Sequence, residues 1–157
     1  MNSKKKKHYC KDGDLINIYL LNKMNIKFNN KITNIMICIL LNEPEFYEDV
    51  EQTLLFITKE DEIKKDCIHE LLLLIKKIYE CINKNNSKIK IKKEIDMINI
   101  SGEILKIIIM LFVEKNKIKE KEKYLISAKK IINGGMDLMK LNFENKTKKK
   151  SCFCFFN

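Results

Sequence analysis

Apolar residues recur at three- and four-residue spacing in five segments of this chain, which is the pattern of one face of an α-helix. The widest such stripe lies within residues 60–84, and lysines and acids occupy the opposite side. Because a stripe of that width needs neighbours on two sides, we expect a helix in the middle of the core there. The preceding residues, Thr58-Lys59-Glu60-Asp61, approximate a capping box for this helix, with Asp in place of Glu or Gln.

A first short helix is predicted near the N-terminus, at residues 14–24. Asp14 is a candidate N-cap, because its carboxylate can accept hydrogen bonds from the free backbone N–H groups of the first turn. Leu15, Tyr19 and Leu20 fall on one side of such a helix. The segment therefore has an apolar side that could pack against the rest of the domain.

Two elements are predicted between that segment and the central helix. Residues 31–42 have apolar side chains at helical spacing, although their β-branched content makes a buried strand the alternative. The next helix is expected to start at Asn42-Glu43-Pro44, because proline fits a first helical turn, where its missing N–H has no partner to lose.

The second half of the chain contains the most apolar segment. Residues 104–113 are apolar nearly all round and should form the most buried helix, with Ser101 as its candidate N-cap. Helical spacing resumes after a charged stretch and is expected to end at Gly134-Gly135, since glycine is the commonest residue just beyond a helix C-terminus. A short element at 136–143 would close the domain.

These segments predict an all-α protein, a compact bundle of six to seven helices. The first alternative is a fragment of an α-solenoid, although no repeat in the chain is regular. The second is an α+β fold, which would require strands at 31–41 and 87–100. The length of 157 residues suits one domain with a real core.

The same patterns divide the chain into three parts. Residues 1–13 are expected to be a basic, disordered N-terminus, and residues 14–143 a single helical domain. Within that domain, 83–95 are polar, rich in lysine and low in complexity, so a solvated loop is predicted there. Residues 144–157 form a basic, cysteine-containing tail.

The charge of the chain is concentrated at its two ends. All 31 basic residues are lysines, and the abundance of lysine, isoleucine and asparagine reflects codons written in A and T, so basicity by itself says little about function. Residues 1–11 hold five lysines and residues 146–150 hold four, which leaves 22 lysines against 21 acids in the body. A body so close to neutral favours a protein partner over a phosphate backbone.

The cysteines and the N-terminus point to a reducing compartment. The first residues are polar and basic with no apolar run behind them, unlike a secretory signal, so we expect a cytoplasmic protein with free thiols. The longest apolar stretch, residues 104–113, has ten residues and is interrupted by Lys106, whereas a bilayer-spanning helix needs about 20. The cysteines are Cys10, Cys38, Cys67, Cys81, Cys152 and Cys154.

The C-terminal tail carries the sharpest local signal. Its last four residues begin at Cys154 and have the geometry of a prenylation box, and Cys152 offers a second thiol, so both are lipidation candidates. A lysine run directly upstream would add electrostatic attraction to an anionic leaflet at the cytosolic face of a membrane. Unmodified membrane contact, a flexible tail and a tail docked on the core are the alternatives. The lysines of this run are Lys146, Lys148, Lys149 and Lys150.

A second basic cluster lies at the N-terminus, where it could serve nuclear import or contact nucleic acid. With no arginine in the chain, such binding could not use the bidentate pairing of arginine with guanine. Nucleic acid is therefore the less favoured partner. The lysines of this cluster are Lys4, Lys5, Lys6 and Lys7.

Metal binding and catalysis have little support in the sequence. His8, Cys10, Cys67 and His69 could be zinc ligands, but a one-residue gap on a helix points two side chains in opposite directions. Cys67 is instead expected on an apolar face and His69 at the surface. The chain holds four glycines and no phosphate-binding or nucleophile motif, so we expect no catalytic residue, metal or cofactor.

The function predicted from the sequence is that of a non-catalytic, helical protein-interaction subunit or adaptor of an intracellular complex. Attachment to a membrane through the C-terminal tail would be an additional property. The alternative is a nuclear or nucleic-acid-binding subunit that uses the lysine-rich ends.

Overall fold

The computed structural model describes residues 30–151 of the chain, with side chains for residues 31–145. Within these residues the protein is an all-α bundle of six α-helices with one small hairpin, which confirms the predicted fold class. The helices are α1 (Asn30–Asn42), α2 (Phe46–Ile57), α3 (Ile68–Lys84), α4 (Asn86–Ile89), α5 (Glu94–Lys115) and α6 (Lys121–Ser151). The hairpin pairs β1 (Thr58–Lys59) with β2 (Glu62–Ile63), and a 3₁₀ turn at Lys65–Cys67 leads into α3. The predicted disordered N-terminus and the predicted helix at 14–24 lie outside the described residues.

The core is built around the antiparallel pair of α5 and α6. The rings of Phe112 and Tyr124 lie 6.3 Å apart at the end where the two helices are joined. At the far end Met136 lies over Gly102, where a Cβ atom would come within 2.0 Å of the methionine sulfur. α5 is buried along most of its length, and among the described residues the segment 104–113 is the most buried, as predicted.

Helix α3 packs across both members of this pair, as the width of its apolar stripe predicts. Its core-facing side chains include Leu71, Ile75 and Ile78, each with no exposed surface. The helix comes close to α6 at Gly135, where an added Cβ would lie 2.4 Å from Leu72 Cδ2. A side chain at this position would force Leu72 to move.

The prediction that Gly134-Gly135 ends a helix is wrong, because α6 continues through both residues to Ser151. Neither glycine has a positive φ, so neither adopts the left-handed conformation of a helix C-terminus. The predicted short element at 136–143 and the backbone of the predicted tail as far as Ser151 belong to this same helix.

The predicted capping box at Thr58 is also wrong, because Thr58 belongs to the hairpin and α3 begins only at Ile68. Thr58 pairs with Ile63 and Lys59 with Glu62. The two residues between the strands, Glu60 and Asp61, have φ angles of 50° and 62°. A two-residue connection with positive φ at both positions is a type I′ turn, whose twist matches that of the strands.

Ser101 is not an N-cap, because α5 begins at Glu94 and holds Ser101 in its interior. The serine is fully buried, and its Oγ donates a hydrogen bond of 2.7 Å to the carbonyl of Met97 one turn earlier. A hydroxyl that bonds back to the preceding turn can be accommodated inside a helix. The position therefore satisfies its own polar group without a helix end.

The polar loop predicted at 83–95 is shorter than expected and contains α4. The Asn86 amide holds the loop that follows α4, because its Nδ2 donates to the carbonyl of Ile91 and its Oδ1 accepts from the N–H of Ile91. The α+β alternative is wrong, since 31–41 lie in α1 and 94–100 in α5.

Candidate partner-binding surface

The outer face of α6 carries two exposed leucines one turn apart. Leu138 and Leu141 keep 57% and 56% of their surface in contact with solvent. Gly134 lies one turn before Leu138 on the same face, and a Cβ added there would find no atom within 4 Å. Residues at i, i+4 and i+7 line one side of a helix. We call the side formed by Gly134, Leu138 and Leu141 the outer face of α6.

The position of this face is fixed by the packing of the opposite side of α6. Tyr124, Ala128, Ile132 and Met136 point into the core at helical spacing and are all buried. These core contacts prevent α6 from rotating about its axis. The outer face of α6 therefore always points to solvent.

Polar contacts with the hairpin hold the beginning of α6. Tyr124 and Thr58 join their hydroxyl groups across 2.7 Å, and Lys123 forms an ion pair with Glu62. Hydrogen bonding to Lys123 lowers the pKa of the Glu62 carboxyl. Burial raises the pKa of the Tyr124 phenol. Together these contacts anchor α6 at the end opposite to its two exposed leucines.

Other exposed apolar side chains lie on α6 itself, where Ile126 keeps 69% of its surface exposed, and on the remaining helices. Leu41, the last residue but one of α1, has 52% of its surface exposed, and Leu55 near the end of α2 has 46% exposed. Phe56 is also exposed, but the ammonium of Lys64 lies 4.9 Å from its ring centroid. Scattered single exposures of this kind are ordinary at a protein surface. They provide matched controls for the leucines of the outer face.

A second apolar feature is a groove between the start of α1 and the pair α5–α6, which we call the α1–α5–α6 groove. Its volume is about 500 Å³, and it is open to solvent on one side. Lys106 at its rim is hydrogen-bonded to Glu103 at 2.7 Å. The apolar lining comes from Ile32, Ile107, Ile109, Met110, Leu125 and Ile132.

The residues that the sequence singles out as basic or lipidation sites lie at the edges of the described region or beyond it. Lys4, Lys5, Lys6, Lys7, Cys152 and Cys154 are outside the described residues. The backbone of Lys146, Lys148, Lys149 and Lys150 is helical and continues α6, while their side chains are outside the described part.

The thiols and the histidine of the described region lie where the sequence predicts. Cys67 is buried and His69 is exposed. Desolvation on burial raises the pKa of the Cys67 thiol, and the charges of Asp66 and Glu70 add to the rise. Cys38, Cys67 and Cys81 are free thiols. Between residues 30 and 151 no three potential metal ligands come together.

A partly buried polar cluster connects α2 with α5. Lys115 contacts the Glu51 carboxylate, with Nζ 2.7 Å from Oε1 and 2.8 Å from Oε2. Tyr47, one helical turn before Glu51, is buried, and its hydroxyl has no hydrogen-bond partner among the described residues. Burial raises the pKa of this phenol, and the negative charge of Glu51 raises it further. The cluster fastens α2 to the bundle.

Comparison with known proteins gives no relative for this arrangement: no family model, curated protein or solved structure matches the chain. Between residues 30 and 151, every helix falls short of the combined length and apolar character needed to cross a bilayer.

The outer face of α6 was not identified from the sequence, since Leu138 and Leu141 were assigned to a separate short element after the glycines. Continuing the helical spacing through Gly134 would have placed all three residues on one face. Sequence alone, however, does not say which face of a helix packs against α3 and α5. That information comes only from the fold.

Proposed function

We propose that the protein is a non-catalytic, helical interaction subunit that binds an apolar helix of a partner protein through the outer face of α6. The observation that supports this proposal is the pair Leu138 and Leu141, more than half exposed on a helix whose other side is fixed in the core. Recognition of one helix by another commonly uses anchors spaced at i, i+3, i+4 and i+7. Leu138 and Leu141 have the i, i+3 spacing.

Gly134 also supports helix binding at the outer face of α6, because it has no side chain beside the two leucines. With no atom within 4 Å of its Cβ position, the backbone of α6 is accessible from outside. A partner helix could approach closely at that point and pack its own side chain against the glycine. The approach distance between packed helices is set by the side chains at the contact, usually about 8–10 Å.

The energetic gain expected from this face is moderate. Complete burial of a leucine side chain stabilises by about 1.5–3 kcal/mol relative to full exposure. Because each of these leucines is about half exposed, binding would gain about half of that free energy per leucine. Two leucines would therefore contribute on the order of 2 kcal/mol, which is more than tenfold in affinity. A partner would need further contacts for stable binding, and neighbouring turns of the 31-residue helix α6 are available for them.

The proposal includes an intracellular location and attachment to a membrane through Cys152 and Cys154 as additional properties. The helical backbone of α6 as far as Ser151 supports this part, because Cys152 is the next residue of the sequence. Two lipid signals are needed for stable anchoring, and the tail offers two thiols with lysines before them.

The test of the interaction is a comparison of partner capture by three tagged forms of the full chain. These are the wild type, Leu138→Glu with Leu141→Glu, and Leu41→Glu with Leu55→Glu as the control. Both double substitutions add two charges at exposed leucines in helices, so their effects on solubility and helix propensity are matched. We expect proteins captured by the wild type to be retained by the control and lost from the α6 variant by at least tenfold.

Equal capture by all three forms would show that the outer face of α6 is not the binding surface. Capture that is lost on nuclease treatment, or that follows the lysine-rich ends, would instead support the nucleic-acid alternative. A steep fall of binding between low and moderate salt would identify that case, because each neutralised phosphate releases counterions.

A further inference from the structure

The α1–α5–α6 groove is a different surface from the outer face of α6, and its dimensions restrict what can occupy it. α5 lines it from Glu103 to Met110, and α6 lines it from Leu125 to Ile132. Each stretch advances seven residues, or about 10.5 Å at 1.5 Å per residue. The groove is therefore long enough for two turns of one more helix lying beside α5 and α6.

The described chain begins at the rim of this groove. Ile32, which lines it, lies two residues after Asn30, where the described residues begin. The 29 residues before Asn30 are therefore covalently connected to the chain at this point beside the groove. The connecting residues 25–29 can span at most about 17 Å when extended, which is longer than the groove itself. Any segment directly before residue 25 can thus reach every part of it.

The segment at 14–24 has the chemistry that this groove requires. Its sequence predicts a helix of eleven residues, about 16 Å long, with Leu15, Tyr19 and Leu20 on one side. The groove is lined mainly by isoleucine, leucine and methionine side chains, so an apolar helix side would bury surface on both partners. Its rim carries Lys129, which no ion pair engages within the described region, and Asp14 provides a carboxylate.

We propose that residues 14–24 of the same chain bind in the α1–α5–α6 groove as an additional helix of the bundle. Covalent connection favours this occupant over any other. A short linker gives an effective concentration in the millimolar range, which exceeds the concentration of most free partners. A second copy or a partner helix would have to displace the segment before it could bind there.

The test uses a photo-crosslinker in the full chain. A benzophenone amino acid replaces Leu125, which lines the groove and is only partly buried. Illumination at low protein concentration, followed by digestion and mass spectrometry, should join position 125 to a peptide from residues 14–24. The same amino acid placed at Leu141, outside the groove, should give no such product.

Substitutions within the segment make the test specific to its apolar side. Leu15→Asp with Tyr19→Asp places two charges on that side and should reduce the crosslink at least tenfold. Asn17→Asp adds charge on the opposite side and should leave the yield unchanged. Circular dichroism of each form establishes that the bundle itself is folded, so loss of the crosslink reports on docking.

Three results would overturn the proposal. One is a crosslink from position 125 only to residues other than 14–24. Another is a product that forms between chains, which appears as mixed-mass peptides when isotopically light and heavy protein are combined. The third is an adduct of a co-purified apolar small molecule, since a groove of this volume is also in the size range of ligand pockets.

Discussion

The Tyr124 hydroxyl donates a hydrogen bond of 2.7 Å to Thr58 Oγ1, which joins the hairpin to α6 across 66 positions of sequence. The direction follows from a second bond, because Thr58 uses its only hydroxyl proton to donate to the carbonyl of Leu54 at 2.7 Å. Tyr124 is almost completely buried. Its hydroxyl therefore depends on Thr58 for a partner.

Thr58→Val is expected to destabilise the protein by about 1–3 kcal/mol, because it leaves the buried Tyr124 hydroxyl without an acceptor. Tyr124→Phe removes the donor but leaves Thr58 bonded to Leu54, so a smaller loss of about 1 kcal/mol is expected. Urea unfolding of both variants gives the difference in their free energies of unfolding. That difference is read from the urea midpoints when the m-value is the same for both. A larger loss for Tyr124→Phe than for Thr58→Val would contradict the assigned direction.

The adjacent glycines of α6 are expected to respond in opposite ways to alanine. Gly134→Ala should stabilise by about 0.5–1 kcal/mol, because its Cβ enters open space and alanine favours the helix. Gly135→Ala should destabilise by about 1–3 kcal/mol, since its Cβ would lie 2.4 Å from Leu72 Cδ2 and 3.0 Å from Ile75 Cδ1. Thermal unfolding of the two variants gives the sign of each change. Two shifts of the same sign would mean that α6 and α3 do not approach as described.

Stability is expected to fall in alkaline solution through the buried phenols of Tyr47 and Tyr124. Both pKa values lie above the ordinary 10.0 in the folded protein because burial disfavours the phenolate. Above pH 10 the unfolded chain therefore loses protons that the folded protein keeps, and the free energy of unfolding decreases as pH rises. Below pH 10 the contribution of these two phenols to the free energy of unfolding is fully present.

The measurement for this prediction is urea unfolding between pH 8 and pH 11 for the wild type and for Tyr47→Phe with Tyr124→Phe. Lysine deprotonation affects both forms, so the comparison isolates the phenols. The double variant should lose stability less steeply with rising pH. Identical slopes, or a spectroscopic titration in which all five tyrosines ionise near pH 10, would refute it.

The turn of the hairpin offers a stabilising substitution. Glu60 has a φ of 50°, a left-handed conformation that asparagine tolerates better than glutamate. Glu60→Asn should therefore stabilise by up to about 1 kcal/mol, in line with the preference of type I′ turns for asparagine. Lys59→Asn, at a neighbouring strand position without positive φ, should be neutral or destabilising. The prediction fails if the control gains as much stability as Glu60→Asn.

Apolar spacing predicted α5 and the central position of α3, because burial on those faces is decided by the sequence of the helix itself. It failed where tertiary contacts decide the outcome. The glycine pair predicts a helix end at Gly135, but the helix continues, and the absence of a side chain there lets α3 pack closely. The sequence predicts a cap at Thr58, but its hydroxyl binds Tyr124. The exposure of Leu138 is likewise a property of the bundle, since neighbouring helices cover the other side of α6.

The five-residue connection between α5 and α6 has a consequence for the order of folding. Phe112 and Tyr124 are only 12 positions apart, and closing a loop of about 10 residues takes roughly 10–100 ns. The bond between Thr58 and Tyr124 closes a loop of 66 positions and carries a larger entropy loss. The pair α5–α6 is thus expected to form early, as a template on which α3 and then the hairpin dock. Substitutions in the hairpin are accordingly expected to slow the last step of folding. Substitutions at the α5–α6 contact would change the rate of the first step.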